Sequence, residues 1–241
     1  MKKFILALVV TFVPAIVLAA GGGAPLKSAD IDIDDKASLQ RGAKTFTDYC
    51  LSCHGAKFVR FNRVAEDLGL TEEQVMSNLN HLGVKFGSPM ETAMTKGYAK
   101  AAFGAAPPDL SLVARSRGTD WLYTYLTGFY VDANRPMGFN NVVFKDVGMP
   151  NVFWKIQGNQ QPKFEGEGDK KHVVDVEPAT GGTMSNEEFD NMARDLVAFL
   201  DYMGEPRKSE RKSLGIWVLA FLLFFALVAY ALKKEYWKDV H

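Results

Sequence analysis

Apolar and polar positions fall into recognisable blocks along the 241 residues. From Lys36, a stripe of Leu39, Gly42, Ala43, Phe46 and Tyr49 recurs at three- and four-residue steps, which predicts a helix with one buried face. Residues 59–81 read as a loop followed by a polar helix, with Thr71 as its cap and Glu72 and Glu73 in its first turn. Residues 98–108 are small and rich in Gly and Ala. The double proline Pro107-Pro108 then forces an extended turn, and Asp109 or Ser111 is placed to cap the segment after it. Residues 121–130 predict an aromatic-rich helix carrying Leu122, Tyr125, Leu126 and Phe129.

Residues 131–182 lack helical periodicity, which for so long a stretch points to a functional loop system. Val142-Val143-Phe144 and His172-Val173-Val174 are its most strand-like runs, and their pairing as a hairpin is the expectation. Ser185 and Glu188 have capping-box spacing. The stripe Phe189, Met192, Leu196, Phe199, Leu200 and Met203 follows, and Gly204 and Pro206 end it. This last helix of the domain is expected to pack on the first.

The two ends are apolar. Lys2 and Lys3 precede the apolar run from Phe4 to Leu18, and the small residues Ala19, Ala20 and Gly21 follow. This is the pattern of a secretory signal over residues 1–20. Pro14 and the short run argue against a retained anchor. Near the other end, no charge occurs from Leu214 to Leu232. At about 1.5 Å per residue that stretch is roughly 28 Å long, close to the thickness of a bilayer's hydrocarbon. Trp217, Tyr230, Tyr236 and Trp237 flank it as interfacial aromatics do. The implied order is a signal at 1–20, an exported domain at 21–206, a basic hinge at 207–213, a membrane helix at 214–232 and a cytoplasmic tail at 233–241. Basic residues lie on both sides of the span, so the tail's placement inside rests on the signal.

Charge changes little. Lys and Arg total 28, as do Asp and Glu, so the net charge is zero and the basic excess of a nucleic-acid binder is missing. The cysteines change the picture entirely. The only two in the chain are Cys50 and Cys53, and His54 follows directly. Two thiols on one turn can form thioethers to the two vinyl groups of one porphyrin, and the next imidazole then meets the iron. A closed zinc site needs four ligands, and no second cysteine pair exists. A redox dithiol expects a thioredoxin-like βαβ setting, and a disulfide here would close too small a loop to staple a domain of this size. The reading is one covalent haem c.

His54 leaves a sixth iron position. Met1 belongs to the signal, and His241 lies beyond the span. Met192 and Met203 sit on the helix stripe. Met76 and His81 read as packing or surface groups, and His172 is the other imidazole. Met90, Met94, Met137, Met149 and Met184 stay open as ligands. Met149 is best placed, because Gly148 and Pro150 fix the backbone on both sides of it. A methionine there would raise the potential and favour electron transfer over oxygen or peroxide chemistry.

Several pieces together resemble the cytochrome c1 family, the haem subunits of the respiratory quinol–cytochrome c oxidoreductase. They are Cys50-Leu51-Ser52-Cys53-His54, Pro107-Pro108-Asp109-Leu110-Ser111 with Arg115 and Arg117, and Leu126-Thr127-Gly128-Phe129-Tyr130. Gly148-Met149-Pro150, Thr183-Met184-Ser185 and the single C-terminal span complete the likeness. The resemblance implies a mainly α c-type cytochrome domain with long irregular loops and one membrane helix. It makes Cys50 and Cys53 the thioether residues, His54 and Met149 the axial ligands, and Arg117 the propionate-binding arginine. It implies a relay of single electrons from a Rieske iron–sulfur protein to a soluble or membrane-bound cytochrome c. The partners would be cytochrome b, the Rieske subunit and membrane lipid, in a dimeric complex of the bacterial inner membrane with the haem domain periplasmic. The rival is another membrane-anchored monohaem cytochrome serving an oxidase or dehydrogenase.

Overall fold

The computed structural model describes residues 24–168 and 171–239. The signal read over residues 1–20 lies outside them. In chain order, α1 (Lys36–Thr45) runs into a π-helical turn (Phe46–Cys50), followed by β1 (Ala56–Arg60), α2 (Phe61–Leu68) and α3 (Glu72–Asn78). Next come β2 (Pro89–Met90), α4 (Lys96–Phe103), α5 (Val113–Arg117) and α6 (Thr119–Thr127). The loop-rich part holds β3 (Phe129–Val131), β4 (Phe139–Asn141), α7 (Trp154–Gln157), β5 (Gly158–Asn159), β6 (Pro162–Glu165), β7 (His172–Val176) and β8 (Thr180–Gly181). Two long helices close the chain, α8 (Asn186–Gly204) and α9 (Lys208–Tyr236). The architecture is mainly α with irregular loops, as expected.

The core forms where α1 crosses α8. Leu39, Ala43 and Phe46 face Leu196, Val197 and Phe199, all buried, and the rings of Phe46 and Phe199 lie 5.7 Å apart. The crossing is close because residue 42 is glycine. A β-carbon there would lie 2.0 Å from the Asp195 carbonyl oxygen and 2.8 Å from Phe199 Cβ. At its edge Asp195 ties the two helices, accepting from Ser38 Oγ at 2.6 Å and from Arg41 Nε at 2.6 Å. Ser185 caps α8, donating and accepting with Glu188 as its spacing predicts. Thr71 caps α3, with Gln74 closing a second capping box.

Among the described residues, four antiparallel two-stranded ribbons replace a sheet: β1 with β2, β3 with β4, β5 with β8, and β6 with β7. The expected hairpin between residues 142–144 and 172–174 does not form. Phe129–Val131 pairs with Phe139–Asn141 instead, and Pro162–Glu165 pairs with His172–Val176. Each of these two ribbons pairs strands close in sequence, which costs less chain entropy than the long connection expected.

Two helices of eight residues were not anticipated. In α2, Phe61, Val64, Ala65 and Leu68 are all buried, a helical stripe inside what reads as a loop, and Gly69 ends it at φ +70°. In α4, Thr95 caps a short Ala-rich helix that Gly104 terminates at φ +78°. The basic residues read as a hinge mostly belong to α9, which already starts at Lys208. Lys208 Nζ lies 2.6 Å from the buried Asp201 carboxylate, and Arg211 grips Glu205. From there α9 runs 29 residues, roughly 44 Å, with its apolar stretch unburied. Helix α9 is long and apolar enough to cross a membrane.

Candidate functional site

The helix that packs the core also delivers the cysteines. The π-helical turn Phe46–Cys50 follows α1 directly, and the N–H groups of Cys53 and His54 both donate to the Cys50 carbonyl, at 3.0 and 2.8 Å. This tight turn brings Cys50, Cys53 and His54 to the edge of one cavity of about 430 Å³. No disulfide joins the two cysteines. Burial pushes the Cys50 thiol up to about 12. A redox dithiol requires the opposite shift, so that rival weakens.

His54 is held by the Pro-Pro-Asp-Leu-Ser block. Its Nδ1 lies 2.8 Å from the Pro108 carbonyl oxygen, which can only accept, so Nδ1 carries the proton. Nε2 is then left with a free lone pair. Burial lowers the His54 pKa despite the Pro108 contact, which keeps the ring neutral and able to bind a metal. The rest of the block fastens Pro108 in place. Leu110 N–H donates to the Gly55 carbonyl at 2.7 Å. Asp109 accepts from the N–H groups of Lys57 at 2.9 Å and Ser111 at 3.0 Å, and Ser111 Oγ accepts from Phe58 N–H at 3.2 Å. Burial pushes the Asp109 carboxyl up, but these hydrogen bonds outweigh it and hold the pKa below the usual range. Asp109 and Ser111 were expected to cap the next segment. They bind back to β1 instead, and α5 starts at Val113 with Leu112 before it giving no side-chain cap. The Asp109–Ser111 contact is an Asx-type turn, which the sequence Pro-Asp-Leu-Ser could have suggested.

Met149 lines the same cavity. Its sulfur accepts a hydrogen bond from Tyr125 Oη at 3.4 Å. Tyr125 stands in an aromatic cluster with Trp121, stacked at 5.0 Å, and Phe144, edge-on at 6.5 Å. Burial pushes the Tyr125 hydroxyl up to about 12, so it remains a donor at any working pH. Among the described methionines Met149 lines this cavity. Met90 is buried in the core, Met137 and Met184 are exposed, and Met76 accepts from Asn80 at 3.3 Å. His81 is occupied at the surface by Asp48, at 2.7 Å.

The two arginines separate cleanly. Arg117 lines the cavity, its guanidinium 5.0 Å from the centre of the Trp121 ring. Arg115 turns away, lies against Gly204 and sits 3.9 Å from the Glu205 carboxylate. The remaining lining is apolar, with Leu110, Val113, Leu126 and Leu200 prominent. Two thiols, one neutral imidazole, one thioether and one guanidinium thus converge on an apolar cleft. That donor set suits a covalent haem, whose ring needs an apolar slot and whose propionates need a cation.

Comparison with known proteins agrees. A model described as the Cytochrome C1 family matches residues 30–240. A cytochrome c1 of Allochromatium vinosum is 48% identical, with 100% of both chains covered. A protein of Nitrosomonas europaea named ammonia monooxygenase gamma subunit is 47% identical over 100% of this chain and 99% of its own. The cytochrome c1 of Rhodospirillum rubrum is 28% identical over 93% and 94%. The chain belongs to the cytochrome c1 family, whose c-type haem is covalently bound.

Proposed function

We propose that this chain is the one-electron relay between a Rieske iron–sulfur protein and a c-type cytochrome in a respiratory quinol–cytochrome c oxidoreductase. The observation that carries it is that one apolar cavity is lined by both cysteines, His54 and Met149. The haem supplies the redox couple. Cys50 and Cys53 would hold it through thioethers. His54 would offer Nε2 to the iron, its other nitrogen being held by Pro108. Met149 would supply the second iron ligand, which would exclude small ligands and leave electron transfer as the available chemistry. Arg117 would pair with the propionates, since Arg115 faces Glu205. No bond of a substrate is made or broken.

In this reading residues 1–20 direct export and are removed. Residues 21–206 form the periplasmic domain, 214–232 cross the inner membrane and 233–241 lie inside. The membrane helix docks on cytochrome b in a dimeric complex, among lipids. The name and the 48% identity of the Allochromatium vinosum relative support this assembly.

Met149→Leu tests the ligand assignment in the purified complex. The sulfur-to-iron charge-transfer band of the oxidised protein should vanish, the potential should fall, and carbon monoxide should bind the reduced iron. An unchanged spectrum refutes the assignment. For the relay, haem reduction by quinol should stop when the Rieske subunit is removed. Undiminished reduction would favour the rival, a cytochrome of another oxidase or dehydrogenase.

A further inference from the structure

Two side chains outside the cavity hold the turn that leads into Met149. Asp146 adopts φ +61°, a left-handed conformation uncommon for a residue other than glycine. Its N–H donates to Asn140 Oδ1 at 2.9 Å. Arg135 reaches the same turn with both terminal nitrogens. One donates to the Asp146 carboxylate at 3.1 Å. The other donates to the Asp146 carbonyl at 2.8 Å and to the Val147 carbonyl at 3.4 Å.

The base from which these side chains reach is itself tied. In the turn between β3 and β4, Asp132 N–H donates to the Gly138 carbonyl, Arg135 N–H to that of Asp132, and Gly138 N–H to that of Arg135, all within 2.9 to 3.1 Å. The buried Asn140 side chain also donates to Asp132 Oδ2 at 3.0 Å. So one amide bridges the base to the distal turn, and one guanidinium does the same beside it.

An ordinary surface ion pair would be the simpler account. The Asp146 carboxylate is 58% exposed, and such pairs contribute little. Arg135, however, is only 24% exposed. Among the described residues its Nε is the buried side-chain nitrogen left without a hydrogen-bond partner. A desolvated N–H is unfavourable, so the group sits there for what its terminal nitrogens gain. Two of their three acceptors are backbone carbonyls, three and two residues before Met149. Their pull acts on the chain that carries the thioether, whatever Asp146 contributes.

We infer that Arg135, together with Asn140, is a positioning clamp for the distal thioether: it fixes the Asp146–Val147 backbone so that the Met149 side stays closed to small external ligands. The inference rests on Met149 being the iron ligand.

The test titrates imidazole into the oxidised, intact complex, for the native protein, Arg135→Gln, Arg135→Lys and Met149→Leu. Imidazole binds only when the thioether has swung away, so its apparent affinity scales with the open fraction. Met149→Leu should lose the charge-transfer band and bind imidazole most tightly. Arg135→Gln should retain the band without imidazole but bind it at least tenfold more tightly than the native protein. Arg135→Lys should fall between, since one ammonium cannot span a carboxylate and two carbonyls. Should Arg135→Gln fail to accumulate, the lysine variant decides, with a threefold gain supporting the clamp.

Imidazole affinity within twofold of native in these arginine variants overturns the clamp, if Met149→Leu behaves as stated. That includes the case where only haem content or melting temperature falls. An unchanged Met149→Leu removes the ligand assignment itself.

Discussion

The two walls of the haem cleft are built by different physics. The wall bearing Cys50, Cys53 and His54 grows out of the crossing of α1 and α8, where buried apolar side chains and one glycine set the distance. The wall bearing Met149 grows out of short ribbons and turns, held by side chains such as Arg135, Asn140 and Asn141 that hydrogen-bond to backbone. Apolar packing is strong but indifferent to direction, so it suits a covalent attachment that only needs a firm base. Hydrogen bonds are directional and individually modest, so they suit a side chain that, as the proposed iron ligand, would have to be aimed and tuned.

If that division is right, the sharpest way to break it lies at the crossing. Gly42→Leu puts a side chain where Asp195 and Phe199 already stand, and the obstacle at 2.0 Å is backbone. The helices must separate, costing about 3 kcal/mol or more. Chemical denaturation should show that loss, and haem-loaded protein should scarcely accumulate. A variant of near-native stability would mean the first wall does not depend on this packing.

Smaller effects are expected at the cavity's own polar groups, with the fold intact. Removing the positive charge in Arg117→Gln favours the oxidised iron, so the potential should drop. A lost Coulomb interaction of about 1 kcal/mol corresponds to roughly 40 mV for one electron. Arg115→Gln should leave it in place. A shift only in the Arg115 variant would reassign the propionate partner.

Smallest is Tyr125→Phe. Its hydroxyl withdraws electron density from the Met149 sulfur; with Met149 as the proposed ligand, its removal should strengthen the bond to oxidised iron and lower the potential by roughly 20 mV. Redox titration resolves such a change, and a rise instead would show that Tyr125 acts by packing alone.

The first wall was largely legible from the sequence because its signals are periodic or covalent. The Leu39–Tyr49 stripe, the Ser185–Glu188 cap, the α8 stripe and the Cys50–His54 motif all declare themselves at fixed short spacings. Helix α2 carried the same signal in Phe61, Val64, Ala65 and Leu68, but its short length and charged exposed face left it reading as a loop. The second wall was legible only at Met149 and its flanking Gly and Pro. What holds it there depends on Arg135 and Asn140 meeting Asp146, and no spacing rule announces a side chain reaching a carbonyl across a turn. The ribbons went wrong for a related reason. Strand-like runs were visible, but their partners were decided by the turns beside them.

The π-helical turn at Phe46–Cys50 has one further consequence. Such a turn closes its hydrogen bonds over one residue more than the α-helix it ends, so each of its residues rotates the chain by less than the ~100° of an α-helix. Everything after it is therefore out of phase with the face that α1 buries. A continuous α-helix would yoke the azimuth of the thiols to that of Leu39 and Ala43. The surplus residue uncouples them, so the same rod can lie flat on its neighbour and still swing its sulfurs round to the pigment.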